Sequence, residues 1–470
     1  MQNTKVQAVS WNITRLCNLK CTHCYLPAGF VDTNELADGT FQLSNIQGSQ
    51  EYSRDAELSQ SQCFRVIDEI AEINPHILLI LTGGEPLLRP DILEISKYAS
   101  DTGFLVVMGT NGVLLNDRVV EKMQQHGVTG AGISLDSVQP TNHDRFRGME
   151  GAWKATMNGV EALKRAQMDF LVQTSVTQWN YDEIPKIVEF AYQLGAKVLN
   201  LYFLVRTGRG KTVMDITPEQ YEKAFETFFE LQADYAGKML IAAKCAPHYK
   251  RVIYEQQSDS AFLQGYPSGT CPCGIYYCRI TPEGDLTPCP YLPVSVGNLK
   301  EESFVKLWNE SKTFQDLRNR DLLEGKCGAC EFKEVCGGCR ARAYATTGNY
   351  LAEDASCDYE PGTSPVTRKA EQRSEVSTEI SKQKHLASGA PPVQIEKKIA
   401  FATETDYDLQ WSEAAEKRLK RLPSFARGMV IKSVEKYARE HGHREVTPEL
   451  MQAVKKRFDK TGIPSFRPKR

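Results

Sequence analysis

The chain has 470 residues and a formal net charge of −2, with 57 Lys and Arg against 59 Asp and Glu. Its only basic excess is 16 Lys and Arg against 10 Asp and Glu in residues 401–470, on amphipathic helical pattern, which argues against a nucleic-acid binder. No apolar run approaches a membrane span, and the start MQNTKVQAVS lacks a basic-then-apolar secretory pattern. The 14 cysteines are clustered, so they are expected to be metal ligands in a reducing cytoplasm, not a disulfide framework.

Residues 6–14 (VQAVSWNIT) form the first of six short apolar runs; the others are 77–82, 104–109, 130–135, 170–176 and 198–203. They alternate with amphipathic helical stretches, which implies a parallel sheet with crossover helices. The expected fold is α/β, a partial (β/α)6 barrel of the TIM type over residues 1–240. Cys17, Cys21 and Cys24 follow the first run, on the strand-end face where such barrels do their chemistry. Three thiolates at this spacing grip three corners of a cubane iron-sulfur cluster and leave one iron open to a small molecule. Structural zinc or idle thiols are the alternative. Residues 27–58 are polar and too long for an ordinary βα loop, and are expected to be a surface insertion in preference to a lid.

The second run ends in Thr82-Gly83-Gly84-Glu85-Pro86, where glycines allow close backbone approach and the carboxylate can receive an ammonium group. The third ends in Gly109-Thr110-Asn111-Gly112 and the fourth in Ser134-Leu135-Asp136. Each alone is a common turn. In order at successive strand ends, they converge on one site. Arg147 and Arg209 are candidate carboxylate anchors, with surface ion pairs as the alternative. Cys245 and His248 follow the sixth run near the barrel mouth. Either could ligate a substrate metal or donate a proton, or the two could be a structural pair. Cys63, on the apolar face of a helix, is expected in the core.

Residues 241–360 change character. Cys271, Cys273, Cys278 and Cys289 precede the run Cys327-x2-Cys330-x5-Cys336-x2-Cys339, and Cys357 follows it. With so much Cys, Gly and Pro and so little apolar content, this segment is expected to be held by metal, iron-sulfur or zinc. Residues 361–398 read as a flexible linker. Residues 399–470 read as a small helical domain, with Leu419, Leu422, Phe425, Ala426, Met429, Val430, Val434 and Tyr437 at helical spacing.

The cysteine triplet and the ordered strand-end motifs resemble the radical S-adenosylmethionine (SAM) superfamily. The later cysteines resemble its SPASM extension, which carries auxiliary clusters. The resemblance implies a [4Fe-4S] cluster on Cys17, Cys21 and Cys24 that binds and reductively cleaves SAM. A deoxyadenosyl radical then abstracts hydrogen from an unactivated carbon. Gly83, Gly84 and Glu85 would hold the SAM amino group. Asn111, Ser134 and Asp136 would contact its ribose and carboxylate, with Arg147 or Arg209 as a further anchor. One or two auxiliary [4Fe-4S] clusters are implied, one on Cys327, Cys330, Cys336 and Cys357, the other on Cys271, Cys278, Cys289 and Cys339, leaving Cys273 as a spare or competing ligand. Gly337 and Gly338 depart from the family pattern, which has three residues between those cysteines. A ferredoxin- or flavodoxin-type reductant would supply electrons.

Residues 204–211, 245–249, 288–293 and 336–344 narrow the resemblance to radical SAM enzymes of haem biosynthesis, in the siroheme-derived alternative pathway and the heme d1 pathway. The string PCPYLP at 288–293 leans toward the deacetylase and heme d1 branch. Residues 411–457 resemble the small C-terminal domain of light-independent protochlorophyllide reductase, another tetrapyrrole enzyme. The implied substrate is a siroheme-derived tetrapyrrole. Its carboxylates would suit Arg206, Arg209, Arg340 and Arg342, and would be removed or oxidised by radical chemistry. The rival readings are a SPASM peptide or sulfatase maturase and a non-catalytic tetrapyrrole carrier or electron-transfer protein.

Overall fold

The computed structural model describes residues 5–26, 28–35, 41–47, 56–257, 263, 271–364, 407, 409–420, 422 and 424–461. The first strand, β1 (Ala8–Asn12), is wholly buried and runs into a two-residue strand, β2 (Leu16–Cys17), that carries the first cysteine. β2 pairs with the hairpin β3 (Gly29–Glu35) and β4 (Phe41–Gln47), so the polar stretch after the cysteine triplet builds a three-stranded sheet on the cysteine loop. Residues 27, 36–40 and 48–55 of that stretch lie outside the described residues, as does the expected linker from residue 365 onward.

The other five runs are β5 (Leu78–Thr82), β6 (Leu105–Thr110), β7 (Val128–Ser134), β8 (Asp169–Val176) and β9 (Val198–Phe203), all parallel. β8 alternates buried and half-buried side chains along its whole length. One face packs under the crossover helices while the other faces the barrel interior. Helix Gln60–Ile73 shows how the outer layer attaches. Ser59 and Gln62 close a capping box at its start, and Cys63, Val66, Ile67 and Ile70 enter the core.

Two parallel strands lie beyond the six runs. β10 (Leu240–Lys244) pairs with β9, and β11 (Tyr277–Ile280), from the cysteine-rich segment, pairs with β1 on the opposite edge. The antiparallel β12 (Leu286–Thr287) completes the order β10-β9-β8-β7-β6-β5-β1-β11-β12. β10 reads LIAAK, and its alanines carry little strand signal. The cysteine-rich segment is thereby sewn into the barrel sheet.

The C-terminal helices pack around Trp411, Leu419, Ile431, Val434 and Leu450, with Leu422, Val430 and Tyr437 half-buried beside them. The Trp411 indole donates to the buried Glu435 carboxylate at 3.0 Å. The side chains of Phe425, Ala426 and Met429 lie outside the described residues. Among the described residues no helix is long and apolar enough to cross a membrane.

Candidate active site and its sulfur groups

A cavity of 290 Å³ lies at the C-terminal ends of the barrel strands, and Cys17, Cys21 and Cys24 line it. Their loop is held by the second motif. Gly84 N donates to Thr14 O at 2.8 Å and Glu85 N to Leu16 O at 2.7 Å. A Cβ on Gly84 would stand 2.1 Å from Leu16 O, and one on Gly83 2.5 Å from Thr14 O. The glycines therefore let the backbone press against the cysteine loop, while their outer side lines the cavity.

Glu85 is fully buried and does not line the cavity, contrary to the expectation that it offers a carboxylate to an ammonium group. It accepts hydrogen bonds from Thr110 Oγ1 at 2.8 Å, Asn111 N at 2.9 Å and Leu87 N at 3.3 Å. Burial pushes its pKa up to about 7. Glu85 thus ties the β5 and β6 loops together. Asp136 is likewise spent inside the protein. It accepts from Arg147 Nε at 2.7 Å and Ser175 N at 2.9 Å, and aims Arg147 into the cavity. Arg147 Nη1 stands 3.8 Å from Cys21 Sγ. Arg209 Nε donates to Cys21 O at 2.9 Å. Both arginines draw the Cys24 thiol toward its thiolate against the larger opposing effect of burial. Asn111, which bonds Asn18 Oδ1 at 2.8 Å, and Ser134 also line the cavity.

A second sulfur group faces the same cavity. Cys271, Cys273, Cys289 and Cys339 all line it, and Cys271 bonds Cys273 and Cys339 while Cys273 bonds Cys289. Their placement differs from the ligand set that the resemblance implied. Cys278 is on β11 in the barrel core, where burial and Arg318 set its thiol, and it does not line the cavity. The strand period explains the exchange, because the pleat turns Cys278 into the core before the chain returns toward the cavity. Cys273, expected to be a spare or competing ligand, lines the cavity with the other three.

The remaining group is Cys327, Cys330, Cys336 and Cys357, in which the other three thiols all act on Cys336. None of the four lines the cavity. Gly338 N donates to Cys336 Sγ at 3.4 Å, Asp354 N to Cys327 Sγ at 3.4 Å and Arg340 Nη2 to Cys327 Sγ at 3.5 Å. Gly337 and Gly338 have φ of +66° and +65°. A Cβ on the first would stand 1.8 Å from Arg320 Nη1, and one on the second 2.7 Å from Cys327 Sγ. The short Gly-Gly link makes room for two arginines beside the sulfurs. No set of three or more His, Cys, Asp or Glu among the described residues forms a single-ion site. The donor set itself, thiols in groups of three and four with N–H groups and guanidinium directed at sulfur, fits iron-sulfur clusters.

Four residues considered for substrate contact, His248, Arg340, Arg342 and Arg206, do not line the cavity. His248 is 1% exposed, packed by Tyr221 and Phe225, with Nδ1 4.0 Å from Asp354 Oδ2, and burial pushes its pKa down to about 3. Arg340 and Arg342 are buried and internally bonded, Arg340 to the carbonyls of Tyr350 and Ala352 and Arg342 to Asp354, Leu204 O and Cys245 O. Arg206 is exposed and donates to Lys211 O. Of the four arginines proposed to meet carboxylates, Arg209 alone lines the cavity, as does Cys245, whose φ is +58°. The sequence reading missed Tyr25, Gln173, Ser175, Tyr202, Lys244 and Tyr291, all of which line it. The strand-end positions of Ser175 and Tyr202 were signals that could have found those two.

The radical SAM superfamily model matches residues 11–191, the iron-sulfur cluster-binding domain SPASM matches 271–331, and the proto-chlorophyllide reductase 57 kD subunit model matches 411–455. The AdoMet-dependent heme synthase of Methanosarcina barkeri is 40% identical over 361 residues, covering 75% of this chain and 97% of that protein. The pre-heme d1 synthase of Dinoroseobacter shibae is 27% identical over 381 residues, covering 76% and 87%. The higher identity is thus to a heme synthase and not to the heme d1 branch toward which the PCPYLP string leaned. In fold, the structure is similar to SuiB of Streptococcus suis bound to S-adenosylmethionine, with a TM-score of 0.57 at 15% identity, covering 76% of this chain and 78% of that one. By its barrel, its cysteines and these relatives, the chain is an enzyme of the radical SAM superfamily, in the group that bears a SPASM iron-sulfur domain.

Proposed function

We propose that this enzyme acts in haem synthesis, cleaving SAM and oxidising or removing carboxylate side chains of an iron tetrapyrrole. The observation that carries the reading is the 40% identity to an AdoMet-dependent heme synthase over 97% of its length. The match of residues 411–455 to a subunit of a second tetrapyrrole enzyme supports it independently.

When bound by Cys17, Cys21 and Cys24, a [4Fe-4S] cluster supplies the electron and the open iron that cleave SAM to a deoxyadenosyl radical. Arg147, held by Asp136, and Arg209 present positive charge to the SAM carboxylate, while Asn111 and Ser134 offer polar contacts beside it. Gly83 and Gly84 keep this wall thin enough for close approach. Phe203, Leu204 and the tyrosines of the cavity wall exclude water from the reacting carbon. Cys271, Cys273, Cys289 and Cys339, which line the same cavity, would hold one auxiliary cluster, which would supply an electron acceptor. Cys327, Cys330, Cys336 and Cys357 would hold another. A ferredoxin- or flavodoxin-type protein supplies reducing equivalents.

The test is anaerobic incubation of the reconstituted enzyme with SAM, a reductant and a panel of carboxylate-bearing tetrapyrroles, read by mass spectrometry. Loss of carboxylate carbon from one of them, with deoxyadenosine formed alongside, is the expected result. Deoxyadenosine formation with every tetrapyrrole unchanged would sink the substrate class and leave the peptide-maturase reading in its place.

A further inference from the structure

One residue touches both of the later sulfur groups. The Asp354 amide donates to Cys327 Sγ at 3.4 Å, its carbonyl accepts from Cys357 N at 3.1 Å, and its Oδ2 accepts from Cys339 N at 2.8 Å. Cys327 and Cys357 belong to the outer group, with Cys330 and Cys336. Cys339 lines the cavity with Cys271, Cys273 and Cys289, the inner group. Arg342 Nη1 donates to the same Asp354 Oδ2 at 3.1 Å. Its Nη2 reaches the other way, to Leu204 O at 3.1 Å, Cys245 O at 2.9 Å and Tyr221 OH at 2.9 Å. Leu204 and Cys245 both line the cavity. The next acid, Asp215, stands 4.0 Å from Arg342 Nε and accepts from Tyr221 OH. A single ion pair therefore joins the cavity wall to both sulfur groups.

We propose that the Asp354–Arg342 ion pair sets the reduction potential of the iron-sulfur cluster held by the inner cysteines, so that these two positioning residues govern how readily the cavity wall accepts an electron. The assignment rests on the reading of the later cysteines as ligands of auxiliary clusters. Asp354 is 1% exposed and Arg342 4%. Burying an ion pair so deeply costs several kcal/mol of hydration, and well-packed apolar side chains tether neighbouring segments as well or better. What apolar side chains cannot supply is a field at the sulfurs. Reduction adds one negative charge to a cluster, which a neighbouring carboxylate opposes and a guanidinium favours. Net charge and hydrogen bonds around the sulfurs are the terms through which a protein sets such a potential. Paired, Asp354 and Arg342 nearly cancel. Either one alone, with so little water to screen it, acts strongly.

The experiment compares reconstituted full-length wild type with Asp354→Asn, Arg342→Gln and the double variant. Each is titrated electrochemically with EPR detection and analysed for iron. The signal that added SAM alters belongs to Cys17, Cys21 and Cys24 and serves as the internal reference. Asparagine keeps an oxygen to accept from Cys339 N, so Asp354→Asn removes the charge and keeps the shape. It is expected to raise the potential of a later-cysteine cluster by about 60 mV, a tenfold change in a one-electron equilibrium, because Arg342 is left unopposed. Arg342→Gln is expected to lower that potential by a similar amount. The double variant should return close to wild type, and all three should keep their iron. Single variants that leave the potential unmoved, or that both move it the same way, would overturn the proposal and leave the pair a tether. So would loss of iron from all three. Should Asp354→Asn alone lose iron, an unmoved potential in Arg342→Gln overturns the proposal and a lowered one supports it. Wild type that holds only about four iron atoms, one cubane's worth, would overturn the auxiliary-cluster reading, and the proposal with it.

Discussion

Strand β8 buries every second side chain in a core shared by the barrel helices, whereas between residues 317 and 357 the small buried clusters include cysteines among their members, Cys339 in one and Cys336 in another. Ile280, Leu286, Phe304 and Trp308 enter the barrel core, while Cys289 and Leu292 between them join the cluster that holds Cys339. One part of the molecule is thus stabilised by apolar burial and the other by what its thiols hold. Close-packed apolar side chains tolerate the loss of a metal, but a segment whose buried atoms are ligands does not.

Removing the iron is the harshest way to test this contrast. Chelated protein should lose amide protection across residues 317–357 by hydrogen exchange, while β1, β5 and β8 keep theirs. Equal loss in both regions would erase the distinction. Next in size is Cys21→Ala, which should abolish deoxyadenosine formation and leave the iron held by later cysteines in place; retained SAM cleavage would refute the assignment of the radical site. A sharper division lies between two neighbours. Cys273→Ala should cost about four iron atoms per chain, one cubane's worth, and Cys278→Ala none, because Cys278 is a core side chain. Iron analysis giving the reverse order would restore the ligand set expected from sequence.

His248 provides a smaller and purely energetic probe. It stays neutral in the fold down to about pH 3 and takes up a proton in the unfolded chain below about pH 6.5. Between those values the unfolded state binds more protons, so acidification lowers stability by up to ~1.4 kcal/mol per pH unit. His248→Phe, keeping a ring in contact with Tyr221 and Phe225, should flatten that loss in urea melts between pH 4 and 6.5. An unchanged slope would show that other groups dominate. The smallest effect is expected from deleting residues 399–470. SAM cleavage without substrate should persist, because every cysteine assigned to a sulfur group precedes residue 360, and the tetrapyrrole affinity of the truncated protein reports whether the C-terminal helices assist capture.

Much of this arrangement was legible in order along the chain. Six apolar runs became six adjacent parallel strands, and Cys17, Gly83, Asn111 and Ser134, each read from a strand end, line one cavity. What was misread were directions and partners. Glu85 and Asp136 occupy the motif positions expected, yet both point into the protein and serve other side chains. Spacing locates a residue along the chain but not the side to which it turns.

The sequence by itself determined the alternation of strand and helix, the three-thiol loop at the first strand end and the grouping of later cysteines, because these depend on local period and spacing. Tertiary structure alone decided that Cys273 and not Cys278 joins the inner sulfurs, that His248 is buried away from the cavity, and that Lys244 stands in register with Tyr202. Each of those outcomes depends on β10 or β11 joining the barrel sheet or on packing between distant segments. Strand pairing of that kind is a contact between residues far apart in the chain, and no local pattern encodes it.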